Sequence, residues 1–151
     1  MRISIKCSTA VHMLLIIARL QGRHKVTSDF MATSAGCNPV EIRKLMGSLK
    51  NAGIIEVARG TGGASLLKDP KDITLLDIYA AVDEVSVEEF IGIHQNSSDR
   101  CPYGRNIKRL LTEAYTEIGQ AIHGKMTAIT LERFIQRLEE IEPELDGPVL
   151  S

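Results

Sequence analysis

Three kinds of residue in this chain could do chemistry: three cysteines, four histidines and a glycine-rich loop opened by an arginine. The loop is "RGTGGASLLKDP", residues 59–70, where Arg59 leads into Gly60, Thr61, Gly62 and Gly63 directly after the apolar run "GIIEVA". Glycines let a backbone approach a phosphate closely, and an arginine at the mouth supplies the counter-charge. Such a loop suits the phosphates of a nucleotide or those of a nucleic-acid backbone. A nucleotide loop needs a helix after it to receive the phosphates, and a Walker loop also needs Lys-Ser/Thr. Here "ASLLKDP" follows, a short strand pattern ending at Pro70, with neither feature. The loop therefore reads as the tip of a hairpin, and its phosphate as one on a duplex.

The other reactive residues do not form an enzyme. His12, His24, His94 and His123 are scattered without carboxylate partners, and no nucleophile–base or acidic pair is legible. Cys7, Cys37 and Cys101 are too few and too spread for a disulfide framework, and no CxxC or Cys/His cluster has zinc-ligand spacing. No metal site is expected. Cys37, in "AGCNPVEIR", lies just before a helix start, and Cys101, in "DRCPYGR", lies between Arg100 and Arg105. A helix N-terminus and nearby cations both favour the thiolate, so both positions suit a redox thiol. The plainer reading of Cys37 is a small side chain packed in a turn. Cys7 reads as structural.

Net charge is −1 at pH 7, which alone argues against a nucleic-acid partner. Its distribution argues the reverse. Residues 1–68 carry ten Lys/Arg against three acids, a net +7, and residues 69–151 carry eight against sixteen, a net −8. That asymmetry implies a basic surface for a polyanion joined to an acidic part with another task. The competing account is chance segregation onto two solvated faces. With 44% apolar, 25% charged and only 4% aromatic residues, the 151-residue chain suits one helix-rich domain, or a small domain with an appendage. The start, "MRISIKCSTAVHMLLIIARL", mimics a signal peptide. His12 interrupts its apolar run, Arg19 closes it, and no small-x-small site follows. It is also too short to span a bilayer, so a cytoplasmic protein without a membrane partner is expected.

These residues need elements to position them. Val11, Leu14, Leu15 and Ala18 recur at helical spacing and predict a buried helix over 9–21. Thr27 caps a short second helix ending near Gly36. A third helix has Asn38 as cap, Pro39 at its first position, Glu41 placed for a capping box and Gly53 just past its end. Ile42, Leu45, Met46 and Leu49 form its core stripe, with Val40, Lys44, Gly47 and Asn51 opposite, flanked by Arg43 and Ser48. "GIIEVA" and "ASLL" predict a two-stranded hairpin, and Thr74 with Asp77 starts another helix. Residues 92–106 have no periodicity and read as a loop. Ile107, Leu110, Leu111, Ala114, Ile118, Ala121 and Ile122 then form a long stripe suited to a partner helix. A last helix after Thr130 ends before Pro143.

Helix, helix, turn, capped helix and hairpin is the order of a winged helix-turn-helix, whose second helix enters a major groove N-terminus first. That end presents Asn38, Pro39, Val40, Arg43 and Lys44, with Ser48 a turn later and Ser28 at the start of the preceding helix. Arg43 suits a bidentate contact to guanine, Lys44 a phosphate, and Arg59 with Gly60, Thr61 and Gly62 a wing that reaches a minor groove. The stretch "GCNPVEIRKLMGSLKNAGIIEVARGTGGASLLKDPKDITLLDIYAAVD" resembles the winged-helix repressors typified by IscR, NsrR and CymR, the Rrf-two family. Its signature is a recognition helix running into "NAGII", then "RGTGGASLL", then "PKDITLLDI", and the resemblance is strong over residues 1–84. It implies a mainly α fold with a small two-stranded β wing, a winged helix-turn-helix plus a long dimerisation helix. It also implies a homodimer on double-stranded DNA, each subunit reading half of a palindromic operator with half-sites about 34–36 Å apart.

The expected divisions are a DNA-binding domain over 1–84, a sensor or linker loop over 85–106, dimerisation helices over 107–142 and a flexible tail over 143–151. Cluster-bearing relatives carry three grouped cysteines before the dimer helix, whereas 85–106 holds only Cys101, with His94 seven residues earlier. An iron–sulfur cluster typically takes four ligands, so none is expected and no cofactor is assigned. Some cluster-free relatives are thiol sensors. By that resemblance, oxidation is expected to join Cys37 to Cys101, across the dimer rather than within one chain, and to move the recognition helix. The alternatives to a thiol-switched repressor are a winged-helix protein-interaction adapter, or a regulator answering to a small molecule or a partner protein.

Overall fold

The computed structural model describes residues 3–60, 63–84 and 92–145. Among these residues six α-helices and one hairpin follow in order: α1 (Ile5–Leu20), α2 (Ser28–Ala35), α3 (Pro39–Asn51), β1 (Ile55–Val57), β2 (Ala64–Leu66), α4 (Leu75–Val82), α5 (Pro102–Ala128) and α6 (Leu131–Ile141), with a single 3-10 turn at Pro70–Asp72 before α4. The fold is mainly α with a two-stranded antiparallel wing, as expected.

α1 starts at Ile5 rather than at residue 9, because Ser4 is its cap and accepts the Cys7 amide at 3.4 Å. The buried stripe is also rotated from the expected one. Ala10, Met13, Leu14 and Ile17 are buried, while Val11, Leu15 and Ala18 are half-buried. The run "MLLII" is apolar on every side, so periodicity alone could not choose the face. α1 is the central helix: α2, α3, α4, α6 and β2 all pack on it.

The helix-turn-helix follows its local signals. Thr27 Oγ1 accepts the Phe30 amide at 3.2 Å to start α2, and Asn38 Oδ1 accepts the Val40 amide at 2.8 Å to start α3. Gly53, at φ +72°, turns the chain out of α3, and the Ile54 amide closes back on the Leu49 carbonyl at 3.0 Å. The capping box expected of Glu41 is not made. Its carboxylate turns instead to Lys44 Nζ at 3.1 Å, three residues on. Ile42, Leu45 and Leu49 are buried as expected, with Met46 packed partly against the same core.

The hairpin pairs Ile55 with Leu66, Glu56 with Ser65 and Val57 with Ala64. Two anchors fix it to the helices: the Ala64 amide donates to the Val26 carbonyl at 3.1 Å, and the Leu66 amide to Gln21 Oε1 at 2.7 Å. α4 carries the full capping box, Thr74 Oγ1 accepting the Asp77 amide at 3.0 Å and Asp77 Oδ2 the Thr74 amide at 2.9 Å. The same turn binds the C-terminal helices, since the Leu75 amide donates to Ile129 and the Leu131 amide to Ile73, each at 2.8 Å. Thr74→Ala is accordingly expected to lower stability by about 0.5–2 kcal/mol, read as a lower urea midpoint at unchanged slope.

Residues 92–106 are not wholly loop. α5 begins at Pro102, five residues before the apolar stripe, with proline at the first helical position and Cys101 as its cap. Gly104 is needed there, because a Cβ would collide with the Ser98 backbone. Residues 85–91 of the expected linker lie outside the described residues. In the expected tail, Pro143 and Glu144 form a turn and the Leu145 carbonyl accepts from Arg19 at 3.2 Å; Arg19 also pairs with Glu139 of α6. The rest, 146–151, lies outside the described residues.

Candidate nucleic-acid interface

The N-terminal turns of α3 stand clear of the core. Val40 is 46% exposed, and Glu41, Arg43 and Lys44 are exposed beside it. The Asn38 side chain is occupied as the cap, Pro39 is half-buried at the first turn, and half-buried Ser48 donates its hydroxyl to the Lys44 carbonyl at 3.3 Å. Lys44 shares its charge with Glu41, whereas Arg43 has no carboxylate partner among the described residues. Arg43 is therefore the free guanidinium on the leading end of the helix, where the helix dipole adds positive potential.

Beside it runs an open groove of about 430 Å³ lined by Lys25, Thr27, Ser28, Arg43, Met46, Gly47, Lys50 and Val57. It joins two residues expected at the DNA, Ser28 and Arg43, with two cations that a charge count includes but cannot place, Lys25 and Lys50. Three separate elements supply these side chains, so only the +7 charge of the N-terminal part hinted at them. Beyond Val57 the wing carries exposed Arg59 and Gly60, the latter at φ +75°, where glycine is the residue that turns without strain. The Ala58 amide donates to the Gly63 carbonyl at 3.0 Å and closes the loop. Thr61 and Gly62 lie outside the described residues.

A capped, exposed helix flanked by a hairpin whose loop bears an exposed arginine is the working surface of a winged helix. The family pattern for Rrf2, described as an iron-dependent transcriptional regulator, matches residues 3–137. The chain belongs to the Rrf2 family. Bacillus subtilis YwnA, an HTH-type transcriptional regulator by name, is 33% identical over 136 residues, covering 90% of this chain and 98% of YwnA. A solved transcriptional regulator from Lactobacillus plantarum superposes with a TM-score of 0.73 at 26% identity, covering 91% of this chain and 92% of that one. CymR of B. subtilis, the global cysteine regulator, shares the fold at a TM-score of 0.69 and 20% identity, over 91% of this chain and 98% of CymR. Rrf2 members and these relatives are DNA-binding transcriptional regulators, not enzymes. No helix among the described residues is long and apolar enough to cross a membrane.

Iron raises the question of ligands. Among the described residues no three Cys, His, Asp or Glu side chains gather as a metal site. The three thiols occupy three different places: Cys7 buried in α1, Cys37 half-buried in the α2–α3 turn and Cys101 exposed at the head of α5. This donor set does not fit an iron–sulfur cluster, which needs several convergent thiolates. The thiols do differ in reactivity. Burial, with the Asp83 charge behind it, pushes Cys7 up to about 11. The amides of Gly104 and then Tyr103 face Cys101 and hold its thiol below the ordinary value. It is thus Cys101, rather than Cys37, that stands at a helix N-cap. A lowered pKa means thiolate at lower pH, so in iodoacetamide labelling followed by mass spectrometry from about pH 6 to 9, Cys101 should react first and Cys7 stay unlabelled while the fold holds.

The acidic part presents a second surface. Of the 27 residues of α5, Gly119 and Met126 are the ones fully buried. Leu110 is 60% and Ile118 45% exposed, along the stripe that the sequence spacing marks for a partner helix, and Tyr103, outside that stripe, is 86% exposed. Among the described residues the later part of that stripe meets the chain's own core through Ile122, and Ile107 and Leu111 are half-buried.

Proposed function

We propose that this Rrf2 regulator is a cytoplasmic homodimeric repressor that reads one half of a palindromic operator with each α3 and spans the adjoining minor groove with each wing. The observation that carries it is the free Arg43 on the exposed leading end of α3, set in the part of the chain with net charge +7. Phosphate neutralisation by such a surface supplies affinity, and a bidentate arginine supplies sequence choice. Leu110 and Ile118, exposed on the long α5, support the dimer, because exposed apolar side chains grouped on one helix mark a surface for a partner.

The dispersed thiols support a switch that works without an iron–sulfur cluster. In this reading a hydroperoxide oxidises Cys101 and Cys37: their two sulfurs join, two protons and two electrons pass to the peroxide, and its O–O bond breaks to give water and an alcohol. The Cys37 end lies immediately before the α3 cap, so the bond pulls on the recognition helix. Binding of genomic fragments over a range of salt, with and without peroxide, tests the whole reading. Selected fragments should share a palindrome and be released on oxidation, and the release should vanish in Cys37→Ser and in Cys101→Ser. A protein that selects no fragment at low salt is not a repressor, and release that survives both serine variants removes the thiol switch.

A further inference from the structure

The groove beside α3 has a property that the wing and the helix tip do not explain. Arg43, Met46, Gly47 and Lys50 follow the spacing i, i+3, i+4, i+7, so they form one stripe of α3 and one wall of the groove. Lys25, Thr27 and Ser28, from the start of α2 and the turn before it, and Val57 of β1 complete its lining. No carboxylate lines it, and Lys25, Arg43 and Lys50 have no acidic partner among the described residues. The Ser28 hydroxyl is likewise unbonded among the described residues.

Gly47 stands in the middle of this wall, well inside a 13-residue helix that it weakens. Its backbone is not in the left-handed region, and a Cβ built on it meets nothing within 4 Å. Neither backbone conformation nor internal packing calls for glycine there. Gly124 of α5 is equally open, so a free helical glycine alone assigns nothing. At Gly47 the missing side chain coincides with a groove rimmed by three cations that have no acidic partner among the described residues.

We propose that this groove seats a phosphodiester of the bound duplex, with Gly47 as the point of closest approach and Lys25 and Lys50 as its counter-charges, beside the base-reading Arg43. The proposal rests on the DNA-binding reading above and adds to it a site that reads no base. Lys25 lies along the wing, its Cγ 4.0 Å from where a Cβ on Gly63 would be, so one seated phosphate ties recognition helix, α2 and wing into a single register. A backbone clamp of that kind positions the base-reading side chains without carrying sequence information itself.

Gly47→Ala separates this role from a structural one, because the two predict opposite signs. Alanine should raise the thermal midpoint, yet weaken binding to a duplex selected by the wild type by about tenfold, with the salt slope unchanged because no charge is lost. Lys25→Gln with Lys50→Gln should lower the slope of log affinity against log salt by about 0.9, the contribution of the one seated phosphate. If Gly47→Ala binds the duplex as tightly as the wild type and the double variant keeps its slope, the seat is wrong while the DNA-binding reading stands. The seat is equally wrong if inorganic phosphate, at matched ionic strength, raises the midpoint of the wild type but not of the double variant while all three proteins bind the duplex equally; the groove then holds a free anion. A wild type that selects no duplex overturns the seat together with the reading beneath it.

Discussion

Arg43→Ala is expected to cut affinity for the selected duplex by about 1–3 kcal/mol, roughly 5- to 150-fold, and to relax base preference at one position of each half-site. Elimination along α3 leads to this residue. Asn38 is spent on capping, Lys44 is shared with Glu41, Ser48 is turned back to the Lys44 carbonyl, and Val40 offers only apolar contact. Arg43 alone combines exposure, a planar donor fork and no partner among the described residues. Because it braces nothing, its loss should leave the thermal midpoint unmoved. Arg59→Ala is the companion: affinity should fall across all sequences at constant stability, since a wing arginine responds to charge and groove width rather than base identity. Fluorescence titrations of both variants against wild-type and single-base-changed duplexes separate the two effects.

Leu110→Glu with Ile118→Glu is expected to divide the dimer and, with it, operator binding. Both side chains are exposed in the single chain, at 60% and 45%, so charging them removes no contact from its own core. In a homodimer packed through α5 both would be buried against the partner subunit, where an added charge is costly to desolvate. Sedimentation should show a folded monomer with an unchanged helical spectrum. Operator affinity should drop by about 10²- to 10⁴-fold, because the second half-site is no longer held at high effective concentration. A variant that still sediments as a dimer would place the interface elsewhere.

The parts of this molecule legible in the sequence are those whose causes are local. Asn38-Pro39 before α3, Thr74 with Asp77 before α4 and the turn glycines are short-range signals, and each element begins or ends where they say. Glu41 shows the limit of the same logic. Its carboxylate could reach the cap amide or Lys44, and the motif alone does not say which; the structure has Lys44. The face of α1 was illegible because its run is apolar all round, and the start of α5 because Pro102 and Gly104 look like loop residues until they are seen in a first helical turn. The groove was the least legible feature. Helical spacing puts Gly47 and Lys50 on one stripe of α3, but Lys25 and Val57 join them only through the packing of the chain around that helix, which no spacing rule predicts.

That the α3 end and the wing read a duplex by sequence is the central claim, and one comparison tests it most directly. The protein is titrated against its selected duplex and against a scrambled duplex of equal length and composition, at several salt concentrations. Affinity for the selected duplex is predicted to lie about 10³-fold or more above that for the scrambled one, with a steep negative salt slope for both. Equal affinity for the two duplexes, or binding indifferent to salt, would contradict it.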